Sequence, residues 1–160
     1  SSHPSVFNYG GDLNRFAELI AAGDRDRLAQ YAQACIEPLY MNAVHLNRPG
    51  LKSITLVQGD ALGGGFEAAI SSNVVIAEES AKFGLPEVLF NLIPGMGAYS
   101  FLIRRRSPDV AERIIMSGEL MTARRMLALG LVYLAVADGH RERALEQIDN
   151  VIIDHADTAG

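Results

Sequence analysis

The sequence has a single cysteine, no long apolar run and no excess of basic residues, and each of these absences excludes a class of protein. Cys35 has no partner for a disulfide within the chain, and one thiol is too few for a cysteine-rich zinc site. No run of roughly 18 apolar residues predicts a membrane-spanning helix, and no signal-peptide pattern opens the sequence. The net charge is −5, so no overall basic field attracts nucleic acid or an anionic membrane. We therefore expect a soluble, cytoplasmic protein that binds neither.

Metal and nucleophile motifs are also missing. The four histidines, at positions 3, 45, 140 and 155, do not have the spacing of metal ligands. No G-x-S-x-G elbow and no Ser/His/Asp arrangement is present, so the sequence predicts no separate esterase site. We expect no bound metal and no cofactor.

The chain is long and apolar enough for one domain with a sizeable core, with 160 residues of which 49% are hydrophobic. Residues 53–57 predict a strand, residues 64–71 a helix and residues 73–77 a second buried strand. A strand, a helix and a second strand in this order are typical of a parallel crossover unit. The fold class is therefore α/β.

Helical spacing of apolar residues extends over most of the remaining chain. The predicted helices cover residues 12–22, 24–46, 98–105, about 107–116, 122–130 and 140–156. Asp12, Asp24, Ser107 and Thr122 stand at predicted N-caps. Pro38 predicts a kink or a restart of the second helix. Residues 7–12 predict a turn, and residues 131–136 predict a strand.

Three consecutive glycines, at positions 63–65, open the helix predicted at 64–71, although each glycine costs about 1 kcal/mol there relative to alanine. A helix N-terminus exposes unpaired N–H groups, and without Cβ atoms an oxyanion can approach them closely. A phosphate is disfavoured because the sequence has neither a Walker lysine nor G-x-G-x-x-G, and Glu67 follows two residues later. The pattern favours the enolate oxygen of a thioester. Close packing of the helix on a sheet is the alternative explanation.

Two carboxylates lie where the pattern otherwise predicts core. Glu67 has apolar neighbours in the predicted helix, and Glu87 lies in the apolar run 84–90. Burying either charge without a partner is costly. Two carboxylates that share a proton or a water are common in general acid–base catalysis. The alternative is that each side chain points to solvent.

These residues resemble the crotonase, or enoyl-CoA hydratase, superfamily. The motifs that carry the resemblance are residues 58–67, 83–87, 93–97 and 117–132. Residues 7–13 and 85–101 closely resemble the diffusible-signal-factor synthases within it, bacterial enzymes that make cis-2-unsaturated fatty-acid signals. The resemblance implies a spiral of ββα units. Since such domains are longer than 160 residues, we expect a partial domain over 1–160, incomplete at both ends, with core motifs over 7–139 and a last helix over about 140–156.

The resemblance also implies roles for individual residues. Gly11 and Gly64 match the two N–H donors of the oxyanion hole. Glu67 and Glu87 match the two glutamates that hold the water added to or removed from the C2–C3 bond. The implied substrate contacts are Gly63, Gly65, Leu85, Gly95, Met96 and Gly97.

The implied function is dehydration of a 3-hydroxyacyl thioester on acyl carrier protein to a cis-2-enoyl thioester, followed by thioester cleavage that releases a fatty-acid signal. An enoyl-CoA hydratase or isomerase acting on a CoA thioester is the first alternative, and a non-catalytic crotonase-like scaffold is the second. The resemblance implies a homotrimer or hexamer and a regulatory sensor protein as partner. The arginine runs 104–106 and 124–125 predict either contacts to an acidic carrier or CoA phosphates, or solvated helix faces.

Overall fold

The computed structural model describes residue 3 and residues 5–148. The helices of this part are Leu13–Ala21 (α1), Arg25–Ala43 (α2), Gly64–Ile70 (α3), Ala98–Arg105 (α4), Pro108–Ser117 (α5), Ala123–Ala128 (α6) and Arg141–Glu146 (α7). Its strands are Val6–Asn8 (β1), Ile54–Val57 (β2), Asp60–Leu62 (β3), Val74–Glu78 (β4), Lys82–Gly84 (β5), Met121–Thr122 (β6) and Leu134–Val136 (β7). Two 3-10 helices cover His45–Asn47 and Pro86–Phe90.

The strands form two sheets, and the prediction of an α/β fold is confirmed. In the first sheet β2, β4 and β7 pair in that order and are parallel, with Ile54 opposite Val74. The second sheet has the order β1-β3-β5-β6, in which only β6 runs antiparallel to its neighbour among the described strands. Since α3 lies between β2 and β4 in the chain, the predicted parallel crossover is also confirmed.

One apolar cluster joins both sheets to helices α3–α6. Phe66 of α3 is fully buried and meets Phe83 of β5 edge to face, with ring centroids 5.7 Å apart. Edge-to-face pairs of aromatic rings stabilise a core beyond the area that they bury. The packing therefore fixes the glycine-rich start of α3 against the second sheet.

Side-chain caps start three of the four helices for which a capping residue was predicted. Asp12 accepts the N–H groups of residues 14 and 15, Asp24 accepts the N–H of Arg27, and Thr122 accepts the N–H of Arg125. Ser107 stands at the N-cap of α5 but makes no side-chain capping bond. Three of the four predicted caps are thus confirmed. Ser107 occupies the predicted N-cap position, but its side chain does not bond to the N–H groups of α5.

The structure corrects one of the two alternatives predicted at Pro38, the restart of the helix. Helix α2 continues through this residue to Ala43 and does not restart. Both Pro38 and Ala34, whose carbonyl a proline at position 38 cannot bond, lie on the exposed side of α2. Water can therefore satisfy that carbonyl, and the helix tolerates the proline.

Three other segments also differ from the prediction. Residues 6–8 form a strand that overlaps the predicted turn, and Asp60–Leu62, for which no element was predicted, form strand β3. The predicted strand at 131–136 begins only at Leu134, because the N–H groups of Leu131 and Val132 close the end of α6 on the carbonyl of Met126. Of the helix predicted over 140–156, the part beyond residue 148 lies outside the described residues.

Candidate active site

A cavity of about 410 Å³ opens between helices α1 and α2, the start of α3 and the segment around residues 86–96. Its volume falls in the range of small-molecule binding sites. Seven predicted site residues line it: Gly11, Gly63, Gly64, Glu67, Glu87, Gly95 and Met96. The fold therefore brings most of the predicted site to one place from three separate parts of the chain.

Glu67 lies on α3 and is only 1% exposed. Its Oε1 accepts the N–H of Met96 and the N–H of Ala98, both at 2.9 Å. Ala98 is the first residue of α4, so the positive end of that helix faces the carboxylate. Both bonds use Oε1, and because Glu67 lines the cavity, Oε2 remains for a ligand.

The environment of Glu67 acts on its pKa in both directions. Burial raises the pKa most, and the nearby charge of Glu87 raises it further. The backbone N–H groups of Ala98, Met96 and Gly97 oppose this shift by stabilising the ionised form. The net effect is a pKa above the ordinary value, so this carboxyl holds its proton more tightly than a solvated glutamate.

Glu87 is half-buried in the 3-10 helix Pro86–Phe90. Its Oε2 is buried and makes no hydrogen bond within the described residues. Burial raises the pKa of Glu87 above its ordinary value. An unpartnered carboxylate oxygen beside a cavity is an acceptor for a ligand or a water.

The glycines at 63 and 64 leave the space that the carboxylates and the turn need. Gly63 has a φ of +54°, and a Cβ there would lie 2.9 Å from Oε1 of Glu87. A Cβ on Gly64 would lie 2.7 Å from Sδ of Met96 and 3.0 Å from Cα of Gly10. The turn at Gly10 therefore packs directly on the N-terminus of α3, and only glycines allow this approach.

Gly11 and Gly64 are the two predicted N–H donors. Both line the cavity, and within residues 5–148 neither N–H has a hydrogen-bond acceptor. The first N–H groups of a helix lack intrahelical partners, as Gly64 does at the start of α3. The arrangement provides two donors and two carboxylates on one apolar cavity.

Three residues predicted to contact substrate do not line the cavity. A Cβ on Gly65 would overlap the carbonyl of Asn8, so this glycine lets β1 pack on α3. Leu85 is fully buried in the core. Gly97 has a φ of +115° and faces the ring of Phe101. Their observed contacts are structural because the second sheet and α4 occupy the space around them.

Helix α2 contributes residues to the cavity that the sequence analysis did not predict. Tyr31, Ala32, Cys35 and Ile36 all line it. The spacing of these residues predicts the apolar face of a helix, and in the structure this face lines the cavity. The apolar periodicity indicates the side that avoids water but does not distinguish a core from an apolar cavity.

The arginine runs are largely occupied by contacts within the chain. The Arg105 guanidinium donates to the carbonyls of Ile70 and Ser72, and the Arg106 guanidinium donates to the carbonyl of Leu129. Arg124 pairs with Glu79 at 3.2 Å and Arg125 with Glu119 at 3.0 Å. Arg105 fits neither alternative given for the arginine runs, contact with a carrier or CoA phosphates or a solvated helix face. Its guanidinium instead links α4 to the carbonyls at the end of α3.

In the described part of the chain, no group of three His, Cys, Asp or Glu side chains is placed to hold a metal ion. Within the same residues, no helix has the length and apolar character needed to cross a membrane. His155 lies outside the described part.

Comparison with known sequences gives consistent matches. The family model described as enoyl-CoA hydratase/isomerase matches residues 1–157. The 2,3-dehydroadipyl-CoA hydratase of Escherichia coli is 38% identical over 127 residues, which are 79% of this chain and 46% of the relative. A probable enoyl-CoA hydratase of Bacillus subtilis is 33% identical over 132 residues, 82% of this chain and 48% of the relative. The chain spans about half the length of the curated relatives it matches.

Solved structures share the fold. The enoyl-CoA hydratase of Bacillus anthracis matches with a TM-score of 0.78 and 25% identity, over 94% of this chain and 55% of that one. DspI of Pseudomonas aeruginosa matches with a TM-score of 0.76 and 27% identity, over 95% of this chain and 59% of that one. The two sheets and their helices are thus arranged as in part of these larger chains.

Proposed function

Because the chain belongs to the enoyl-CoA hydratase/isomerase family, we propose that it adds water to, or removes water from, the C2–C3 bond of an acyl thioester. The observation that carries the proposal is the pair of carboxylates, the buried Glu67 and the half-buried Glu87, on one cavity with the N–H groups of Gly11 and Gly64, which have no acceptor within the described residues. The proposed reaction is acid–base chemistry and needs no cofactor beyond the carrier of the thioester.

The two N–H groups hold the thioester oxygen in the proposed mechanism. Loss of the C2 proton makes an enolate, whose negative oxygen accepts bonds from Gly11 and Gly64. Such donors act most strongly on charge that develops in the transition state, and each is worth on the order of a hundred- to a thousand-fold in rate. Their lack of partners in the described chain supports this role.

The two carboxylates carry out the proton transfers of the proposed reaction. In dehydration one glutamate removes the C2 proton as a base, and the other protonates the departing hydroxyl as an acid. This division needs one ionised and one protonated carboxyl at the same time. The raised pKa values of Glu67 and Glu87, and the charge of Glu87 acting on Glu67, favour a pair that shares one proton.

Substitution of either carboxylate tests the proposal. In the full-length protein, Glu67→Gln and Glu87→Gln should each lower kcat for hydration of 2-dodecenoyl-CoA by about a hundredfold or more, because each removes one partner in proton transfer. Glu112→Gln, an exposed glutamate on α5, is the matched control and should retain wild-type activity. Wild-type rates in both site variants would overturn the assignment.

The finer proposal is synthesis of a cis-2-unsaturated fatty-acid signal from a 3-hydroxyacyl chain on acyl carrier protein, with the same glutamates activating water for thioester cleavage. It is supported by the resemblance of residues 7–13 and 85–101 to the signal synthases. The alternative, an enoyl-CoA hydratase, is supported by relatives such as the 2,3-dehydroadipyl-CoA hydratase.

The carrier and the product distinguish these two functions. Full-length protein is incubated with 3-hydroxydodecanoyl-carrier protein and, separately, with 3-hydroxydodecanoyl-CoA, and the products are identified by mass spectrometry. Free cis-2-dodecenoic acid from the carrier substrate supports the signal synthase. Interconversion of CoA thioesters alone, with the carrier substrate unchanged, supports the hydratase.

A non-catalytic scaffold that binds a partner is the remaining alternative, and turnover of neither thioester would support it. The buried Glu67 and the buried Oε2 of Glu87 argue against it, because a binding scaffold gains nothing from the free-energy cost of burying them. A homotrimer or hexamer and a regulatory sensor partner remain predictions from the resemblance. A cytoplasmic location remains a prediction from the sequence composition.

A further inference from the structure

The turn that carries Gly11 has three consecutive N–H groups, and side chains accept two of them. Oδ1 of Asn8 accepts the N–H of Gly10 at 2.6 Å. The hydroxyl oxygen of Tyr31 accepts the N–H of Asp12 at 2.5 Å. Of these three N–H groups, only that of Gly11 has no acceptor within residues 5–148. The hydrogen bonds of Gly10 and Asp12 therefore leave the N–H of Gly11 as the one group of the turn that is available to a ligand.

Tyr31 is the long-range part of this arrangement. It lies on α2, 19 residues from Asp12 in sequence, and its hydroxyl also lies 3.4 Å from the carbonyl of Asp12. The Asp12 side chain is already used, since its Oδ1 caps α1 by accepting the N–H groups of Asn14 and Arg15. Helix α2 is therefore tied to the backbone of the turn through one phenol.

The identity of residue 11 is explained by the same hydroxyl. Gly11 is absent from the residues with a positive φ, so its backbone does not itself require glycine. A Cβ at this position would lie 3.0 Å from the hydroxyl oxygen of Tyr31 but 3.8 Å from its Cζ. Glycine at position 11 leaves room for the Tyr31 hydroxyl to reach Asp12.

We propose that Tyr31 is a positioning residue for the oxyanion hole. Its hydroxyl holds the N–H of Asp12, and this fixes the neighbouring peptide so that the N–H of Gly11 points into the cavity at the thioester oxygen. The inference rests on the proposed function, because it assigns Gly11 the role of oxyanion donor. Tyr31 itself exchanges no proton with the substrate.

Tyr31→Phe in the full-length protein keeps the ring and removes the hydroxyl. We expect kcat for the active thioester to fall about tenfold while KM changes little, since a misplaced donor weakens binding of the enolate more than binding of the substrate. Tyr40→Phe is the matched control, because Tyr40 is on the same helix and is 59% exposed. Equal kcat values in wild type and Tyr31→Phe would overturn the inference.

A double variant tests whether Gly11 and Tyr31 act together. Gly11→Ala alone forces the Tyr31 hydroxyl away from the turn. In the Tyr31→Phe background the new Cβ meets Cζ of the ring and Sγ of Cys35, each at an ordinary contact distance of 3.8 Å. We therefore expect Gly11→Ala to lower kcat by a smaller factor in that background than in wild type. Equal factors in the two backgrounds would contradict the coupling.

Two measurements separate this inference from the proposed function. Acetoacetyl-CoA forms an enolate that absorbs in the near ultraviolet, and Tyr31→Phe should bind a smaller enolate fraction than wild type without any turnover. Exchange of the Asp12 amide, followed by NMR, should be faster in Tyr31→Phe than in Tyr40→Phe. An inactive wild type that binds no enolate overturns the proposed function. Unchanged Asp12 exchange and an unchanged enolate fraction overturn the role of Tyr31.

Discussion

At the scale of single residues, Glu67 and Glu87 differ in what compensates their burial. Glu67 is the more deeply buried, yet its Oε1 accepts two backbone N–H groups at the start of α4. Glu87 has a buried Oε2 with no partner within the described residues. Burial raises both pKa values, and only Glu67 has strong opposing hydrogen bonds. Glu87 therefore lacks, at its Oε2, the hydrogen-bond compensation that Glu67 has at its Oε1.

This difference predicts a pH-dependent effect of Glu87→Gln on stability. Because the pKa of Glu87 is raised in the folded protein, the folded state keeps the proton longer than the unfolded state as the pH rises above about 4.5. Glu87 thus lowers the stability of wild type as the pH rises from 4.5 through the raised pKa. Glu87→Gln lacks this contribution, while the raised pKa of Glu67 acts in both proteins.

At pH 7.5 the variant should melt about 2 °C above wild type, and the difference should shrink toward zero at pH 4. Differential scanning calorimetry of the full-length proteins at both pH values provides the measurement. A variant that is less stable than wild type at pH 7.5 would show that Glu87 contributes a stabilising contact.

The sequence predicted the two carboxylates but not Tyr31. Glu67 and Glu87 are conspicuous because a charged residue interrupts an apolar pattern. Tyr31 fits its apolar pattern, and its bond to Asp12 links residues 19 apart, which no local pattern records. Positions whose role depends on one distant contact require the structure.

At the scale of elements, two helix N-termini meet the site with different roles. The start of α3 presents the N–H of Gly64 to the cavity. The start of α4 faces Glu67 with the N–H groups of Met96, Gly97 and Ala98. The N-terminus of α3 is thus available for a ligand, and the N-terminus of α4 holds the Glu67 carboxylate in place. The position of α4 relative to α3 therefore sets the orientation of Glu67.

Arg105 joins these two helices. Its guanidinium donates to the carbonyls of Ile70 and Ser72 at the end of α3. Arg105→Met leaves those carbonyls unpaired, so we expect the free energy of unfolding to fall by about 1–3 kcal/mol. Arg104→Met, on the exposed side of α4, should stay within about 0.5 kcal/mol of wild type.

Urea unfolding of the full-length variants distinguishes the two arginines. A fall in the midpoint for Arg105→Met alone supports the structural role. If Arg104→Met destabilises the protein as much as Arg105→Met, the loss comes from the helix surface and not from the bonds to α3.

The longer elements were predicted from the sequence, but four of the five strands with two or three residues were not. The helices α1, α3 and α4 and the strands β2 and β4 have several residues of clear periodicity. The strands β1, β3, β5 and β6 have two or three residues each and exist through their pairing with one another. Pairing between distant segments leaves no periodic signal in so short a run.

At the scale of the whole molecule, the two sheets bring distant segments of one chain to a single cavity. The turn at Gly11, the start of α3 and the 3-10 helix with Glu87 lie far apart in sequence but share the cavity with helix α2. The α/β fold class was predicted from the strand–helix–strand pattern. The site residues were predicted from the glycine triplet, from the two carboxylates in apolar surroundings and from the resemblance to a known superfamily. The sequence did not predict that α1 and α2 enclose the cavity, because this depends on how the helices pack.

The central claim is that Glu67 and Glu87 move water onto and off the C2–C3 bond of an acyl thioester. Its most direct test is oxygen exchange: full-length protein is incubated with a 3-hydroxydodecanoyl thioester, on CoA and on carrier protein, in water enriched in heavy oxygen. Mass spectrometry of the intact thioester should show heavy oxygen at C3 for at least one carrier, and about a hundredfold less in Glu67→Gln and Glu87→Gln. No exchange on either carrier by the folded wild type would contradict the account.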